Sequence, residues 1–211
     1  MTILNSEEIK QYLSRRPDED PLVVMPMLKA KEQLTTSSVD LRLGFDFIVI
    51  RKAELSTLDL EDVKERESLG RYYERVYIGY GRKFILHPRE FVLGGTLEYL
   101  SVPRGLLGYL VGRSTWGRLG LIIATATVIH PGFKGCPTLE LVNHGNVPIQ
   151  LFPGWRIAQL VLHRLEEQER DAYSGKYTGW VGPTSPDFSK IYDDPEIRHL
   201  LPGGNCHQEP E

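Results

Sequence analysis

The chain has 211 residues, of which 41% are hydrophobic and 25% are charged, so it is expected to fold as one globular domain, 1–211, with a buried core. A formal net charge of -3 excludes a general affinity for the nucleic-acid backbone, which requires a basic surface. Two cysteines that lie far apart, Cys136 and Cys206, exclude a disulfide framework. No window has the length and apolarity of a membrane span or a signal peptide, which predicts a cytoplasmic protein without a membrane partner.

The first predicted elements are a short helix and two strands. Residues 6–13 begin with a serine and two acids and place three apolar side chains on one face, as in a capped amphipathic helix. Residues 37–44 alternate apolar and polar side chains up to Gly44, which predicts a half-buried strand followed by a turn. Residues 47–52 begin with aromatic and β-branched side chains and predict a further strand.

The remainder of the chain is predicted to be mostly short strands. Residues 53–76 are highly charged and are interpreted as a long excursion or helical insert. Residues 83–103 predict two short strands with a turn at Gly94–Gly95, and residues 107–113 predict another strand. Many short strands with few helices indicate a β-barrel or a sandwich. The polar, glycine- and proline-rich segment 165–211 predicts a C-terminal arm or lid.

Residues 112–120 carry two arginines, Arg113 and Arg118, on either side of Ser114 and Thr115. Guanidinium groups fork onto phosphate oxygens, and hydroxyls and turn amides add further donors. The segment therefore predicts a set of donors that suits a triphosphate, although the Walker pattern is absent. The alternative is a helical or loop segment whose arginines lie in solvent.

Glu140 is the acidic residue of the predicted strand 138–143, and alternation places it on the face opposite to its two leucine neighbours. That face is either solvent, as for most glutamates, or a cleft. In a cleft, Glu140 is a candidate general base that activates a water. The turn at 129–135 is shaped to hold a sugar ring against Phe133. The alternative is a plain hairpin turn with His130 at the surface.

Five segments together resemble the dCTP deaminase family, which belongs to the trimeric dUTPase superfamily. The resemblance implies a mainly β fold, a distorted jelly-roll or dUTPase-like β-barrel with a few short helices. It implies a homotrimer with active sites shared between subunits, and hydrolytic removal of the 4-amino group of dCTP without zinc. It also implies Mg2+ bound through the nucleotide triphosphate. The segments are 37-SSVDLRLG-44, 91-FVLGGTLEYLSVP-103, 112-GRSTWGRLGL-121, 125-TATVIHPGFKGCPTLEL-141 and 153-PGWRIAQL-160.

The resemblance also assigns roles to individual positions. The family's catalytic glutamate falls on Glu140, which would take a proton from the water that attacks C4 and return it to the ring nitrogen or the leaving ammonia. Ser114 and Arg118 correspond to a serine and an arginine that help orient the water and the acid. The positions implied to bind substrate are Arg113, Thr115, Thr125, Ala126, His130, Phe133, Thr138, Leu139, Gln159, Tyr173, Lys176 and Tyr177.

The chain departs from the family pattern in ways that bear on function. His130 replaces an aspartate that meets the deoxyribose 3'-hydroxyl and, in dUTPases, positions the hydrolytic water. Trp180 replaces a tail glutamine and cannot accept a hydrogen bond. Besides the deaminase, two functions stay open: a bifunctional enzyme that forms dUMP, and a degenerate member that binds a nucleotide without turnover. A zinc-dependent cytidine deaminase is disfavoured, because no cysteine pair follows 207-HQE-209.

Overall fold

The computed structural model describes residues 2–50, 72–125, 128–168, 173, 175 and 177–186. Strands predominate, as the sequence predicts. The helices of the described residues are α1 (Ser6–Leu13), α2 (Ala30–Gln33) and α3 (Ser114–Arg118), with a 3-10 turn at Pro17–Glu19. The strands are β1 (Thr2–Ile3), β2 (Val23–Met25), β3 (Ser38–Ile50), β4 (Tyr73–Tyr77), β5 (Phe84–Leu86), β6 (Phe91–Thr96), β7 (Tyr99–Ser101), β8 (Leu106–Gly112), β9 (Leu121–Ile123), β10 (Val128–Ile129), β11 (Lys134–Gly135), β12 (Thr138–Asn143), β13 (Ile149–Leu151) and β14 (Arg156–Arg164).

Most strands belong to one large antiparallel sheet. Its order is β10-β8-β14-β3-β6-β12-β9, with β1 beside β14 and β4 beside β3. Strands β11, β7 and β2 form a second sheet, and β13 pairs with β5. The large sheet curls into a half-barrel, so that β8 approaches β9 and a Cβ at Gly112 would lie 3.8 Å from the Ile123 side chain. This curled sheet confirms the predicted dUTPase-like β fold.

The hydrophobic core lies inside the curl. Phe47 of β3 stacks on Phe84 of β5 with ring centroids 4.7 Å apart, and Leu139 and Leu141 of β12 are fully buried. Each such side chain contributes about 1.5–3 kcal/mol through the apolar area that it removes from water. Because both leucines point into the core, alternation directs Glu140 to the other face of β12.

Helix α1 occupies the predicted residues 6–13, and its buried Ile9 and Tyr12 form the predicted apolar face. Its N-cap is the residue before that segment, Asn5. The Asn5 side chain accepts hydrogen bonds from the backbone of Glu7 and Glu8, each at 3.0 Å. The Glu8 carboxylate in turn accepts from the Asn5 N–H at 3.0 Å, which completes a capping box.

Strand β3 is longer and more deeply buried than predicted. Residues 38–50 form one strand with a register irregularity opposite β6, so the predicted turn at Gly44 and the separate strand at 47–52 are wrong. The polar side chains of Asp40 and Arg42 are 1% and 7% exposed, so β3 is not half-buried. The alternation of residue types marks the two faces of the strand correctly, but charged partners cover the polar face.

The predicted turn at Gly94–Gly95 is also wrong, since both glycines lie inside β6. A Cβ at Gly94 would lie 3.2 Å from Leu43 Cδ1, and a Cβ at Gly95 would lie 3.1 Å from Pro183. These glycines allow neighbouring segments to pack closely against β6. The chain reverses after them, at residues 97–98 between β6 and β7.

Two predicted segments fall largely outside the described residues. Of the interpreted insert at 53–76, residues 73–76 belong to β4, which pairs with β3, and residues 53–71 lie outside the described part of the chain. The predicted arm at 165–211 is described in part, up to residue 186. Among the described residues, no helix has the length and apolarity needed to cross a membrane.

Candidate active site

A cavity of about 400 Å³ lies beside β12, and we call it the Glu140 cavity. Its walls come from β6, β8, β10, β12 and a segment near the C-terminus, residues 177–186, which we call the C-terminal strap. The described residues that line the cavity are mostly apolar, and among them Glu140 is the sole carboxylate and no lysine or arginine occurs. The cleft interpretation of Glu140 is therefore the one that the structure supports.

The Glu140 backbone is held on both sides by the segment that precedes β10. Its N–H donates to Thr125 Oγ1 at 2.8 Å, and its carbonyl accepts from the Ala124 N–H at 2.8 Å. Burial raises the pKa of the Glu140 carboxyl above its ordinary value, because the apolar surroundings disfavour the charged form. A carboxyl in this state is suited to take a proton from a water near neutral pH.

Three aromatic rings form a second wall of the Glu140 cavity. His130 and Tyr173 stack almost parallel, with centroids 4.9 Å apart and 13° between their planes. Phe133 lies 6.2 Å from the Tyr173 ring, and the Tyr173 N–H donates to the Pro131 carbonyl at 3.2 Å. Burial raises the pKa of the Tyr173 phenol, and its neighbour Tyr177 adds to the rise. The structure thus brings together the aromatic residues that the sequence predicts to touch the nucleotide.

The C-terminal strap closes the Glu140 cavity on another side. The Cys136 N–H donates to the Trp180 carbonyl at 2.8 Å, and the Thr184 N–H donates to Thr138 Oγ1 at 3.1 Å. These contacts tie the strap to β12 and to the residues before it, with Tyr177 and Trp180 lining the cavity. The described part of the predicted arm therefore contacts the candidate site.

A larger cavity, of about 790 Å³, contains two of the predicted phosphate-binding residues, and we call it the Arg113 cavity. Arg113 and Thr115, at the start of α3, line it together with Arg156 of β14. Gln159 lies on the same strand, and its Nε2 donates to Asp40 Oδ1 at 3.0 Å. Asp40 also makes ion pairs with Arg156 and Arg113, at 3.3 Å and 3.6 Å. Arg113 and Gln159, separated in sequence, thus share one buried partner.

Three of the remaining predicted residues, Ser114, Arg118 and Leu139, do not join either group. Ser114 and Arg118 are exposed on α3 and line neither cavity. Leu139 points into the core, while Ala126 and Lys176 lie outside the described residues. Within the part of the chain that the structure describes, no three His, Cys, Asp or Glu side chains come together in a group that could hold a metal ion.

Sequence reasoning missed Arg156 and Asp40 at the Arg113 cavity. Regular alternation would place Arg156 and Gln159 on opposite faces of β14. The register with β3 shifts between Arg156 and Ala158, and this irregularity lets both side chains reach Asp40. A β-bulge of this kind has no clear signature in the sequence. Alternation predicts that the polar residues of β3 are partly exposed, and the burial of Asp40 depends on partners that are distant in sequence.

Comparisons with known proteins show which family this chain is similar to. A family model described as dCTP deaminase-like matches residues 3–165. The chain is 37% identical over 197 residues to a dCTP deaminase of Natronomonas pharaonis, covering 92% of this chain and 97% of that relative. It is 37% identical over 204 residues to a dUMP-forming dCTP deaminase of Methanobrevibacter smithii, covering 94% of this chain and 100% of that relative. Its fold is similar to that of a 2'-deoxycytidine 5'-triphosphate deaminase of Agrobacterium tumefaciens, with a TM-score of 0.58, 21% identity, and coverage of 77% of this chain and 48% of that chain.

Proposed function

The chain belongs to the dCTP deaminase-like family, and we propose from this membership that it hydrolyses dCTP to dUTP and ammonia. The observation that carries the proposal is Glu140, a carboxyl of raised pKa in an apolar cavity. Deamination adds water at C4 of cytosine and breaks the bond from C4 to the amino nitrogen. A group is needed that takes a proton from the water and returns a proton to the ring nitrogen or the leaving amine. Glu140 supplies that group.

The cytosine ring is proposed to enter the Glu140 cavity with its sugar toward Phe133 and His130. The apolar walls exclude water and strengthen the hydrogen bonds that the base makes. Thr125 holds the Glu140 backbone and also lines the cavity, and we propose that it contacts the edge of the base. The Tyr173 ring stacks on His130 and is proposed to pack against the sugar.

We propose that a second copy of the chain completes the site, within a homotrimer. Ser114 and Arg118 are exposed on α3 and do not line the Glu140 cavity, although the family resemblance has them act on the attacking water and the acid. Apolar side chains near α3 are also exposed, with Leu119 at 56%, Ile122 at 45% and Val111 at 40%. Such a surface suits an interface between copies.

The triphosphate is proposed to bind on the Arg113 side with Mg2+. Asp40, the buried carboxylate there, is already engaged by Gln159 and two arginines, so the donors present fit a metal carried by the phosphates and water rather than by a protein cage. When bound, Mg2+ neutralises part of the phosphate charge, while Arg113 and Gln159 fix the position of the phosphates. A cytoplasmic location is proposed as well, which suits the buried free thiol of Cys136.

A second candidate function is the direct formation of dUMP, which the name of the Methanobrevibacter smithii relative favours. Cleavage of the triphosphate requires a further group to activate a water toward phosphorus. Glu140 is the sole carboxylate among the described residues of its cavity, and His130 stands where the family resemblance expects an aspartate. We therefore propose dUTP as the product.

The test is to incubate the protein with dCTP, dUTP or CTP in the presence of Mg2+, to separate the products by chromatography and to measure ammonia. Equal amounts of dUTP and ammonia from dCTP are the expected result. Appearance of dUMP and pyrophosphate would establish the second candidate. Binding of dCTP without any product would instead indicate a member that binds nucleotide without turnover.

The roles of Glu140 and Arg118 are tested by variants and by mixing them. Glu140→Gln is expected to bind dCTP without turnover, because an amide cannot carry the proton, whereas Glu7→Gln on the exposed face of α1 should retain activity. Arg118→Ala is expected to be inactive as well. The two inactive variants are then dissociated and reassembled together. Turnover should return, because some sites will combine the intact Glu140 of one copy with the intact Arg118 of another. Failure to regain it would contradict the shared site.

A further inference from the structure

One buried carboxylate holds two arginines at the wall of the Arg113 cavity. Asp40 is 1% exposed and accepts from Gln159 Nε2 at 3.0 Å and from Arg156 Nη1 at 3.3 Å. Arg113 Nη2 lies 3.6 Å from the same carboxylate. Both arginine side chains remain about one third exposed, at 31% and 32%, and both line the cavity. Each guanidinium group thus contacts the buried Asp40 on one side and remains accessible from the cavity on the other.

Arg156 is held from further directions. Its Nη1 donates to the Glu32 carbonyl of α2 at 2.7 Å. Its own carbonyl accepts from Trp116 Nε1 at 2.9 Å and from Arg113 Nη1 at 3.4 Å. The backbone of Arg156 therefore anchors the start of α3, while its side chain joins α2 to β3. A side chain held in this way loses little conformational entropy when a ligand binds to it.

The wall carries more positive than negative charge. Two arginines, Arg113 and Arg156, share Asp40 as their buried counter-charge. The carboxylate of Glu32 lies 3.9 Å from Arg156, but it is 56% exposed and lies closer to Lys29, at 3.4 Å. Arg42 also lines the cavity and pairs with the buried Glu98 at 3.0 Å. Four cations thus face three carboxylates among the described residues, and of these carboxylates Glu32 is exposed to solvent. A surplus cation in a cavity wall attracts an anion.

We propose that Arg156 is a further binding residue for the polyphosphate of the nucleotide, and that Asp40 positions Arg156 and Arg113 as a pair. The proposal rests on the proposed function, because the triphosphate of dCTP is the ligand. Guanidinium groups fork onto phosphate oxygens, and two forks fixed by one carboxylate address two neighbouring phosphates. Gln159 Nε2 donates to the same Asp40 and so helps to hold the carboxylate in place.

The experiment is a calorimetric titration of the full chain with inorganic tripolyphosphate and, separately, with dCTP. Arg156→Gln is expected to raise the Kd of both ligands by about tenfold or more, the loss that one charge-assisted hydrogen bond implies. Arg156→Lys keeps the charge but loses the fork, so it should raise Kd by a smaller factor. In turnover assays with dCTP, Arg156→Gln should raise KM and leave kcat close to that of the wild type.

Arg164→Gln is the matched control, because Arg164 lies on the same strand, pairs with Glu8 at 2.7 Å and does not line the Arg113 cavity. Its Kd values should equal those of the wild type. Unchanged Kd values in Arg156→Gln would overturn the proposal. If that variant fails to fold in a thermal unfolding scan, the decision passes to Arg156→Lys, where unchanged Kd values would overturn it equally. Tripolyphosphate binding does not depend on deamination. A wild-type chain that binds tripolyphosphate but releases no ammonia from dCTP would refute the proposed reaction, and the Kd values of the variants would still decide the role of Arg156.

Discussion

Substituting Thr125 by valine isolates the contact that holds the candidate base. The Thr125 hydroxyl accepts the Glu140 N–H at 2.8 Å, and both residues line the same cavity. Valine keeps the volume and the β-branched shape of threonine but replaces the hydroxyl by a methyl group. The Glu140 N–H then loses its acceptor in a part-buried position, so both the stability of the fold and the placement of the carboxylate should suffer.

The expected loss follows from leaving one buried donor unpaired, which costs about 1–3 kcal/mol. For a domain of this size, each kcal/mol lowers the Tm by about 2–4 °C, so Thr125→Val should lower the Tm by about 2–12 °C. Urea denaturation gives the free energy of unfolding directly. Steady-state assays with dCTP should show a reduced kcat with a smaller change in KM, because the carboxylate is displaced relative to C4 while the proposed phosphate contacts at the Arg113 cavity are unchanged.

Thr125→Ser is the control, since it keeps the hydroxyl and should retain most of the stability and the kcat. The reasoning is refuted if Thr125→Val unfolds within about 0.5 kcal/mol of the wild type, which is the usual range of neutral surface changes, and turns over dCTP at the wild-type rate. That outcome would mean that water replaces the hydroxyl and that the segment before β10 does not position Glu140.

Three further predictions concern a buried pair, the sugar and the pH profile. Glu98 is 0% exposed, and its carboxylate accepts three hydrogen bonds, two of them from Arg42. Glu98→Ala should therefore lower the free energy of unfolding in urea by about 3–5 kcal/mol. A loss below about 1 kcal/mol would contradict a charged buried pair. His130→Asp should lower the KM for dCTP, because a carboxylate accepts a hydrogen bond from a sugar hydroxyl. Unchanged kinetics with dCTP and dUTP would show that residue 130 does not contact the sugar. Burial raises the pKa of Glu140, so the base is lost as pH falls through that raised value, and kcat/KM should decline at a higher pH than an ordinary glutamate would give. In Arg118→Met, which like Arg118→Ala is expected to be inactive, infrared titration of the Glu140 carboxyl should give a still higher pKa because a cation is removed, and an unmoved pKa would show that Arg118 does not reach Glu140.

The fold was predictable where local patterns and burial agree. Helix α1 and strand β8 lie where their apolar patterns predict them, because one face of each packs on the core. The turn predicted at Gly94–Gly95 failed because a glycine can serve close packing as well as chain reversal, and the packing partner Pro183 is distant in sequence. Information about such tertiary contacts is absent from a local pattern.

The candidate site was predictable to a similar extent. Alternation gave the face of β12 on which Glu140 lies, but it could not decide between solvent and a cleft. The walls that bury Glu140 come from the turn around His130 and from the C-terminal strap. These segments meet β12 through tertiary contacts, which a local sequence pattern does not show. Arg156 was not predicted for a different reason, because an irregularity of strand β14 changes the face on which its side chain lies. The family resemblance supplied the catalytic assignment that neither pattern could give.

The electrostatics of the Glu140 cavity support the proposal that a second copy of the chain completes the site. The described residues that line the cavity include no lysine or arginine, and burial moves the carboxyl toward its protonated, inactive form. A nearby guanidinium would oppose that shift and lower the pKa of the carboxyl again. Arg118 is the candidate for this cation, but it lies exposed on α3 outside the cavity of its own chain. If Arg118 of a second copy enters the Glu140 cavity, as we propose, assembly lowers the pKa of the Glu140 carboxyl and favours its charged form, so a dissociated chain would keep its nucleotide contacts and lose turnover.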